Sequence, residues 1–542
     1  MCERPSVAHN QDKVFAFLQD PHSHHTVDAV TRIDTHSATV FLAGPDVYKV
    51  KRNVVYPFLD FSTLEKRRAA CEAEVEVNKG NAPDVYLGVL PISYDGTEYH
   101  FGKTGEVVEW AVHMRRFDEQ ATLDRLAEKA ELGRTLVDKL ARVVAQSHER
   151  APKRVDVTTV SRLRAILTET VQELQSEAEV FAGDAVAAYG LKAQAAFDHV
   201  EPLLLRRAAE GQVRRCHGDL HLGNIALIGE EPVLFDAIEF SENIATCDVL
   251  YDFAFVLMDL WERGRRMDAN GLLNRYLLLC DEDGGQIEGL AALPLFLSLR
   301  AAIRAKVLVA LLRLNPTADT RRTEALAYFQ AALRFVSPVA PCLVAVGGLS
   351  GAGKSALSAV MAPALGRAPG ALHLRSDVER KRIFRVDDTV RLGDEAYRPE
   401  ISRQVYARLR DRALKGVRAG QSVIVDATHS GRGDRDAIAD LAVEAGVPFV
   451  GIWLEAPEDL LTARVEARRG DASDATSSTV RAQLQHGTGE ITWARLDAAQ
   501  PLETLARLAL RLADAQRPAA AVASSPADEP LAGDRQGVTR SM

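Results

Sequence analysis

The sequence is short of the features that would mark a secreted, membrane-spanning or nucleic-acid-coating chain. Its six cysteines in 542 residues (Cys2, Cys71, Cys216, Cys247, Cys280 and Cys342) show no CxxC pair and no zinc-like spacing. Cysteines so placed in so long a chain read as free thiols of a reducing compartment. The opening MCERPSVAHNQDK has no apolar signal core, and no run reaches the roughly 18 apolar residues that a membrane helix requires. The expectation is a soluble, cytoplasmic protein. Aromatic residues amount to 6% and the formal charge is -9, whereas a dedicated nucleic-acid binder shows a basic excess interleaved with aromatic rings. No internal repeat is visible.

What is present is an ordinary globular mix of 47% hydrophobic and 26% charged residues. The length exceeds the roughly 250–300 residues at which one core stops growing, so at least two domains are expected. Residues 1–26 read as a polar, partly disordered segment and 27–336 as the first domain. Residues 337–341 (Ser-Pro-Val-Ala-Pro) form a linker, 342–516 the second domain, and 517–542, rich in Ala, Pro, Ser and charge, a disordered tail. In the first domain, TRIDTHSATVFLAGPDVYKVK predicts paired strands over Thr31–Lys51 with a turn at Ala43–Asp46. A helix over Ser62–Asn78, strands within Val85–Met114, and helices over Thr122–Arg150 and Ser161–Ala182 follow. From Cys342 the pattern alternates strand and helix, as in a parallel α/β sheet.

The sharpest local signal lies in this second domain. The apolar run Leu343–Gly347 leads into Gly348-Leu-Ser350-Gly351-Ala352-Gly353-Lys354-Ser355 and then ALSAVMAPAL. This is GxxxxGK[ST] between a strand and a helix. Glycines let backbone N–H groups turn onto phosphates, the helix N-terminus adds partial positive charge, Lys354 reaches the outer phosphates and Ser355 ligates Mg2+. The bound nucleotide is expected to be ATP. Ser422–Asp426 is a strand ending in a carboxylate, where Asp426 would orient magnesium. Ala371–Asp377 is a second strand ending in an acid, followed by Arg380, Lys381 and Arg382. A helix over Pro457–Gly470 carries Arg464, Arg468 and Arg469, a lid to clamp the transferring phosphate, or else a solvated basic face.

In the first domain, Cys216-His217-Gly218-Asp219-Leu-His-Leu-Gly-Asn224 is followed by a short hairpin and Phe235-Asp236. Phosphoryl transfer needs one carboxylate to orient the attacking hydroxyl, and an amide plus a second carboxylate to hold magnesium. Asp219, Asn224 and Asp236 supply those groups at the D-x-x-x-x-N spacing.

From Pro341 to Ala515 these motifs resemble the small P-loop kinases, the group of gluconate kinase, zeta toxins and the 5'-kinase half of phage polynucleotide kinase. That resemblance implies an Asp-x-x-Arg in which Asp377 is general base and Arg380 assists the acceptor hydroxyl. From Val27 to Phe335 the chain is similar to the aminoglycoside phosphotransferase-like family, a branch of the protein-kinase-like fold. This implies Asp219 as base, Asn224 and Asp236 as magnesium ligands, and Asp252 of DVLYDFA as a brace for the catalytic loop. It also implies Lys49 as the ATP-phosphate lysine, with Lys51 on the same strand face as the alternative, paired to Glu74 (or else Glu72), and a hinge over Glu109–Met114 whose backbone reads adenine. No G-x-G-x-x-G is present, only Thr35-His36-Ser37 and Gly44 at the corresponding turns. As a whole the chain resembles bacterial two-domain proteins joining a kinase-like domain to a P-loop kinase, with FLDFSTLEKRRAACEAEVEVN and YDFAFVLMDL as shared phrases.

The fold expected is an α+β protein-kinase-like bilobal domain followed by an α/β P-loop kinase domain with a parallel sheet. The activity expected is an ATP- and Mg2+-dependent phosphotransfer to hydroxyls of an unidentified small molecule, with one site per domain. The alternatives are a polynucleotide or nucleotide kinase with a sensor domain, and a nucleotide-gated module with one inactive domain. His22, His24 and His25 are read as solvated, His148 as a packing histidine, and Trp110, Trp261 and Trp453 as core.

Overall fold

The computed structural model describes residues 11–24, 29–35, 37–56, 59–281, 284–314, 319–468 and 472–516. Cys2, His25, His36, Arg469 and the tail 517–542 lie outside them. The described residues divide into two compact units, those up to Ala187 with Phe197–Asp268, and Ala188–Ala196 with those from Ala269 onward. That division falls well before the proline-punctuated segment 337–341.

In the first unit the expected strands form one six-stranded antiparallel sheet, in the order Thr31–Asp34, Ala38–Ala43, Asp46–Lys51, Glu106–Arg115, Tyr86–Tyr94, Tyr99–Phe101. Side chains alternate across a strand, so each face collects its own core. On one face Phe41, Tyr48, Val50 and Ile92 meet Val14, Phe15 and Leu18 of helix Gln11–Gln19. On the other, Leu42, Val47, Val112 and Met114 pack with Cys71 of helix Leu64–Lys79. Burying each such side chain contributes about 1.5–3 kcal/mol. The helix expected over Thr122–Arg150 is two, Leu123–Glu128 and Arg134–Arg150. The break is local: Ala130 takes a left-handed φ of 58° and Gly133 caps the second helix. The helix expected over Ser161–Ala182 runs Thr158–Ser176, and a separate helix begins at Gly183.

The second unit carries a five-stranded, wholly parallel sheet in the order Leu372–Arg375, Val423–Asp426, Leu343–Gly348, Phe449–Glu455, Ala494–Asp497. A parallel sheet is covered on both faces, and every residue of Leu343–Gly348 is accordingly buried. Strand Leu372–Arg375 is an edge, which leaves unpaired backbone groups. Asn270 and Asn274 cover it: both donate to the Ala371 carbonyl, at 3.0 and 3.2 Å, and Asn274 accepts from the His373 amide at 2.8 Å. The sequence places these asparagines before the expected linker, so the sheet's edge is completed by residues assigned to the other domain. No helix among the described residues is long and apolar enough to cross a membrane.

Candidate functional site

Two constellations of polar side chains form, one in each unit. In the first, the period of two along Asp46–Lys51 puts Lys49 and Lys51 on one face. Helix Leu64–Lys79, capped by Thr63, carries Glu74 beneath them. Lys49 Nζ lies 2.8 Å from Glu74 and 2.6 Å from Asp236, while Lys51 lies 2.5 Å from Glu74 and also donates to Glu239. Glu72 is exposed and pairs with Arg68 at 2.9 Å. Glu74 is therefore the buried partner, shared by both lysines, and Lys49 is the one that reaches Asp236. Burial alone would raise the Glu74 carboxyl, but the two ammonium groups outweigh it and hold the group well below its usual value.

Removing one partner of a buried ion pair costs about 3–5 kcal/mol, and Glu74→Gln should destabilise the protein on that scale. Because the folded-state pKa is depressed, the contribution is complete above the ordinary value of 4.5 and is lost as pH falls below it. Melting temperatures of wild type and Glu74→Gln should therefore converge as the solution is acidified. A gap that stays constant would contradict the charge network.

The loop from Cys216 to Asn224 is held from behind by helix Val249–Glu262. Gly218, at φ +84°, donates its amide to Asp252 at 2.8 Å, and Leu222 donates to Asp259 at 3.0 Å. The two carboxylates are seven residues apart, two turns on one helix face. Asp252 was anticipated as a brace; Asp259 was not, although an acid two turns further along an otherwise apolar helix was its signal. His148, expected only to pack, sits 3.1 Å from Asp252. With Cys216 these two form a buried His-Cys-Asp cluster, but its donors already support the loop. His217 donates from Nε2 to the Phe235 carbonyl at 2.9 Å and accepts at Nδ1 from the Asp219 amide at 3.3 Å. Burial lowers its pKa and keeps it neutral.

Asn224 donates to both the carbonyl and the carboxylate of Asp219, at 2.9 and 3.0 Å. The hairpin Ile225–Ile228 with Glu231–Leu234 then delivers Asp236, which sits at φ 59°. The Tyr86 hydroxyl accepts from its amide at 3.1 Å. The amide oxygen of Asn224 and the carboxylate of Asp236 are the hard oxygen donors that magnesium takes. One expectation needs correction. Glu109–Met114 is not a hinge but lies inside strand Glu106–Arg115, paired with strand Tyr86–Tyr94 throughout and from Ala111 on with Asp46–Lys51 as well, so its backbone is committed to the ladder. Glu109 itself is buried against Arg67, 2.9 Å away.

In the second unit the C-terminal ends of three strands converge, which is where ligands bind in parallel sheets. Gly348 leaves its strand at φ 139°, and Gly351 and Gly353 take φ of 88° and 89° before helix Lys354–Met361. A Cβ on Gly351 would lie 2.4 Å from the Leu461 carbonyl oxygen. Gly351→Ala should therefore both strain the backbone, at about 1–3 kcal/mol, and push Leu461 away. A lowered melting temperature with weakened ATP binding is expected; unchanged values would mean the loop is not held as described.

Ser355 donates to Asp426 at 2.5 Å, and His373 lies 3.3 Å from the same oxygen. Burial pushes the Asp426 carboxyl up, but the His373 hydrogen bond and the cations of His373, Arg375 and Lys354 bring it well below its usual range. Asp377 goes the other way, raised by burial and by Asp426. The Lys354 ammonium is lowered by burial and donates to the Leu349 carbonyl at 3.1 Å. It lacks an ion-pair partner among the described residues, as a lysine awaiting phosphate oxygens would. Ser355 and Asp426 offer magnesium a hydroxyl and an ionised carboxylate.

A cavity of about 1040 Å³ joins Ser350, Lys354, Asp377, Arg380, Arg464 and Arg468. Arg380 is buried, donates to the Ala396 carbonyl, and stacks 4.7 Å over Tyr397. The arginine helix is shorter than expected, Glu458–Ala467, so Arg468 is its C-cap and not a residue of the next turn. Gln483, which drew no attention in the sequence, accepts from the Ser350 amide at 2.9 Å and donates to its hydroxyl at 3.1 Å.

Comparison with known proteins finds two family matches along the chain, the first of which runs past Asp268 into the second unit. Residues 88–290 match the model of the phosphotransferase enzyme family, and residues 343–488 match that of an AAA domain. The chain thus carries two kinase-type domains. Uncharacterised proteins of Mycobacterium tuberculosis and Mycobacterium bovis are 28% identical over 480 residues, 87% of this chain and 92% of theirs. Among solved structures, a gluconokinase from Sinorhizobium meliloti is 26% identical, covering 33% of this chain and 95% of its own, at a TM-score of 0.24. A choline/ethanolamine kinase family protein from Mesorhizobium loti is 15% identical, covering 60% and 98%, at 0.37.

Proposed function

We propose that the chain is an ATP-dependent phosphotransferase with two sites, each passing the terminal phosphoryl group of ATP to a hydroxyl of a small molecule inside the cell. The observation that supports this reading is that each unit brings together carboxylates, a recessed lysine and oxygen atoms of the kind Mg2+ takes. In the first unit Asp219 takes the acceptor proton and Asn224 fixes its orientation. Lys49 is drawn from Asp236 onto the phosphates when nucleotide binds. In the second unit the raised pKa of Asp377 suits a base that must accept a proton. Lys354, Arg464 and Arg468 offset charge on the transferring group. Magnesium, held by Asn224 and Asp236 or by Ser355 and Asp426, would supply charge neutralisation on the phosphates.

The balance of acid and base around the 1040 Å³ cavity favours a compact polar acceptor over a polynucleotide, which would need a basic groove. The test is Mg2+-dependent ATP turnover by wild type, Asp219→Ala and Lys354→Ala, with and without pooled metabolites. Two separable losses support two active sites. Loss in Lys354→Ala alone supports the reading in which the first unit is a nucleotide-binding regulator, for which the absence of a G-x-G-x-x-G turn argues.

A further inference from the structure

The hydroxyl of Ser350, inside the phosphate loop, is oriented by a side chain 133 residues further along the chain. Ser350 is 8% exposed and lines the cavity together with Lys354, Arg464 and Gln483. Gln483 Oε1 accepts from the Ser350 amide at 2.9 Å, and Gln483 Nε2 donates to the Ser350 hydroxyl at 3.1 Å. The pair fits in one sense only. A backbone N–H can only donate, so the carboxamide oxygen must face it and the NH2 group must face the hydroxyl. A serine hydroxyl carries one proton and two acceptor lone pairs. Gln483 takes up its oxygen as an acceptor, so the proton is left to donate, and among the described residues it has no acceptor.

Packing presents Gln483 to the loop. It lies on helix Ser477–His486, whose start is fixed by a reciprocal cap between Thr476 and Thr479. Val480, three residues earlier and on the same helix face, is fully buried in the core with Ala352 and Leu461. Just before the helix, Asp474 meets Lys381 Nζ with both oxygens, at 2.8 and 2.7 Å. It also accepts from the Tyr397 hydroxyl at 2.7 Å and from the Leu392 amide at 3.1 Å. Lys381 belongs to helix Ser376–Ile383, which carries Asp377. The segment that holds Gln483 is thus tied to the sheet core and to the helix of the proposed base. A donor fixed in this way needs no reorganisation at the moment charge develops on its partner.

We infer that Gln483 is a positioning residue of the second site, which aims the Ser350 hydroxyl proton at the terminal phosphoryl group of ATP. Ser350 donates to an oxygen of that group, beside the charges of Lys354 and Arg464. Gln483 acts through Ser350 alone: its oxygen fixes the carboxamide on the loop amide, and its NH2 group leaves the hydroxyl no role but that of donor. No bond to either residue is made or broken in the transfer. This inference rests on the second unit's being an ATP phosphotransferase.

The experiment is Mg2+-dependent ATP turnover by the full chain with pooled metabolites, counted as the part that Lys354→Ala abolishes. The ATP KM and the melting temperature are measured in parallel. Ser350→Ala should lower kcat by about 10²-fold, the loss for one donor to developing charge. Gln483→Met should lower kcat by less, with the ATP KM and the melting temperature close to wild type. In the Ser350→Ala background the same substitution should cost nothing further, because the two residues act as one unit. Gln483→Glu keeps an acceptor for the amide but takes the hydroxyl proton for itself, so kcat should fall at least as far, and it replaces Gln483→Met if that variant does not fold. An unchanged kcat, losses that multiply independently, a fall confined to KM, or turnover that rises in Gln483→Met would overturn the inference and leave the phosphotransferase reading standing. No Lys354-dependent turnover in the wild type would overturn both.

Discussion

Lys354→Ala should lower ATP turnover at the second site by about 10²–10³-fold, the usual loss when a group stabilising developing charge is removed. The ammonium is recessed in the loop, its pKa is lowered by burial, and its hydrogen bond is to a neutral carbonyl. The carboxylates of Asp426 and Asp377 only partly offset that burial, and no ion pair to Lys354 forms among the described residues, so little of its charge is spent on structure. The melting temperature of the substituted protein should stay close to that of wild type, or rise, since an under-solvated cation has been removed. A large fall in stability with turnover intact would mean that Lys354 serves the fold and not the nucleotide.

Asp219→Ala is expected to lower turnover at the first site by about 10²–10⁴-fold, the range for a positioned general base. Here the structural cost is also small. Asp219 accepts from Asn224 and lies 3.4 Å from His221, while the loop is held by Asp252 and Asp259 from behind. The contrast is the useful readout. Asp252→Asn should lower both stability and turnover, because it loosens the Gly218 amide and His148 together. If Asp219→Ala leaves metabolite-stimulated turnover unchanged in the Lys354→Ala background, the first unit is not a kinase and its constellation only binds nucleotide.

Local chemistry made much of this readable in advance. A phosphate loop is a contiguous device: its glycines, lysine and hydroxyl are neighbours in sequence because they must wrap one phosphate chain, so residues 348–355 could be placed without a fold. The same holds for Asp219, Asn224 and Asp236, linked by a hairpin too short to separate them. Strand and helix patterns also reported their faces, which is how Glu74 and Lys49 were candidates at all. The choice between Lys49 and Lys51, and between Glu72 and Glu74, was not readable, since equal residue types on adjacent positions carry no information about which meets Asp236.

By itself the sequence determined the residue types, the two motifs and the periodicities, because hydrogen-bonding and burial patterns within a short stretch depend on neighbours along the chain. Only the tertiary structure decided that Asn270 and Asn274 complete the edge of a sheet about a hundred residues away, that Asp259 and His148 stand behind the loop from Cys216 to Asn224, and that Gln483 meets Ser350 of the phosphate loop. The physical reason is common to all three. Each is a polar group buried or half-buried by packing of distant segments, and its partner is set by where the core brings the chain, not by spacing in the sequence.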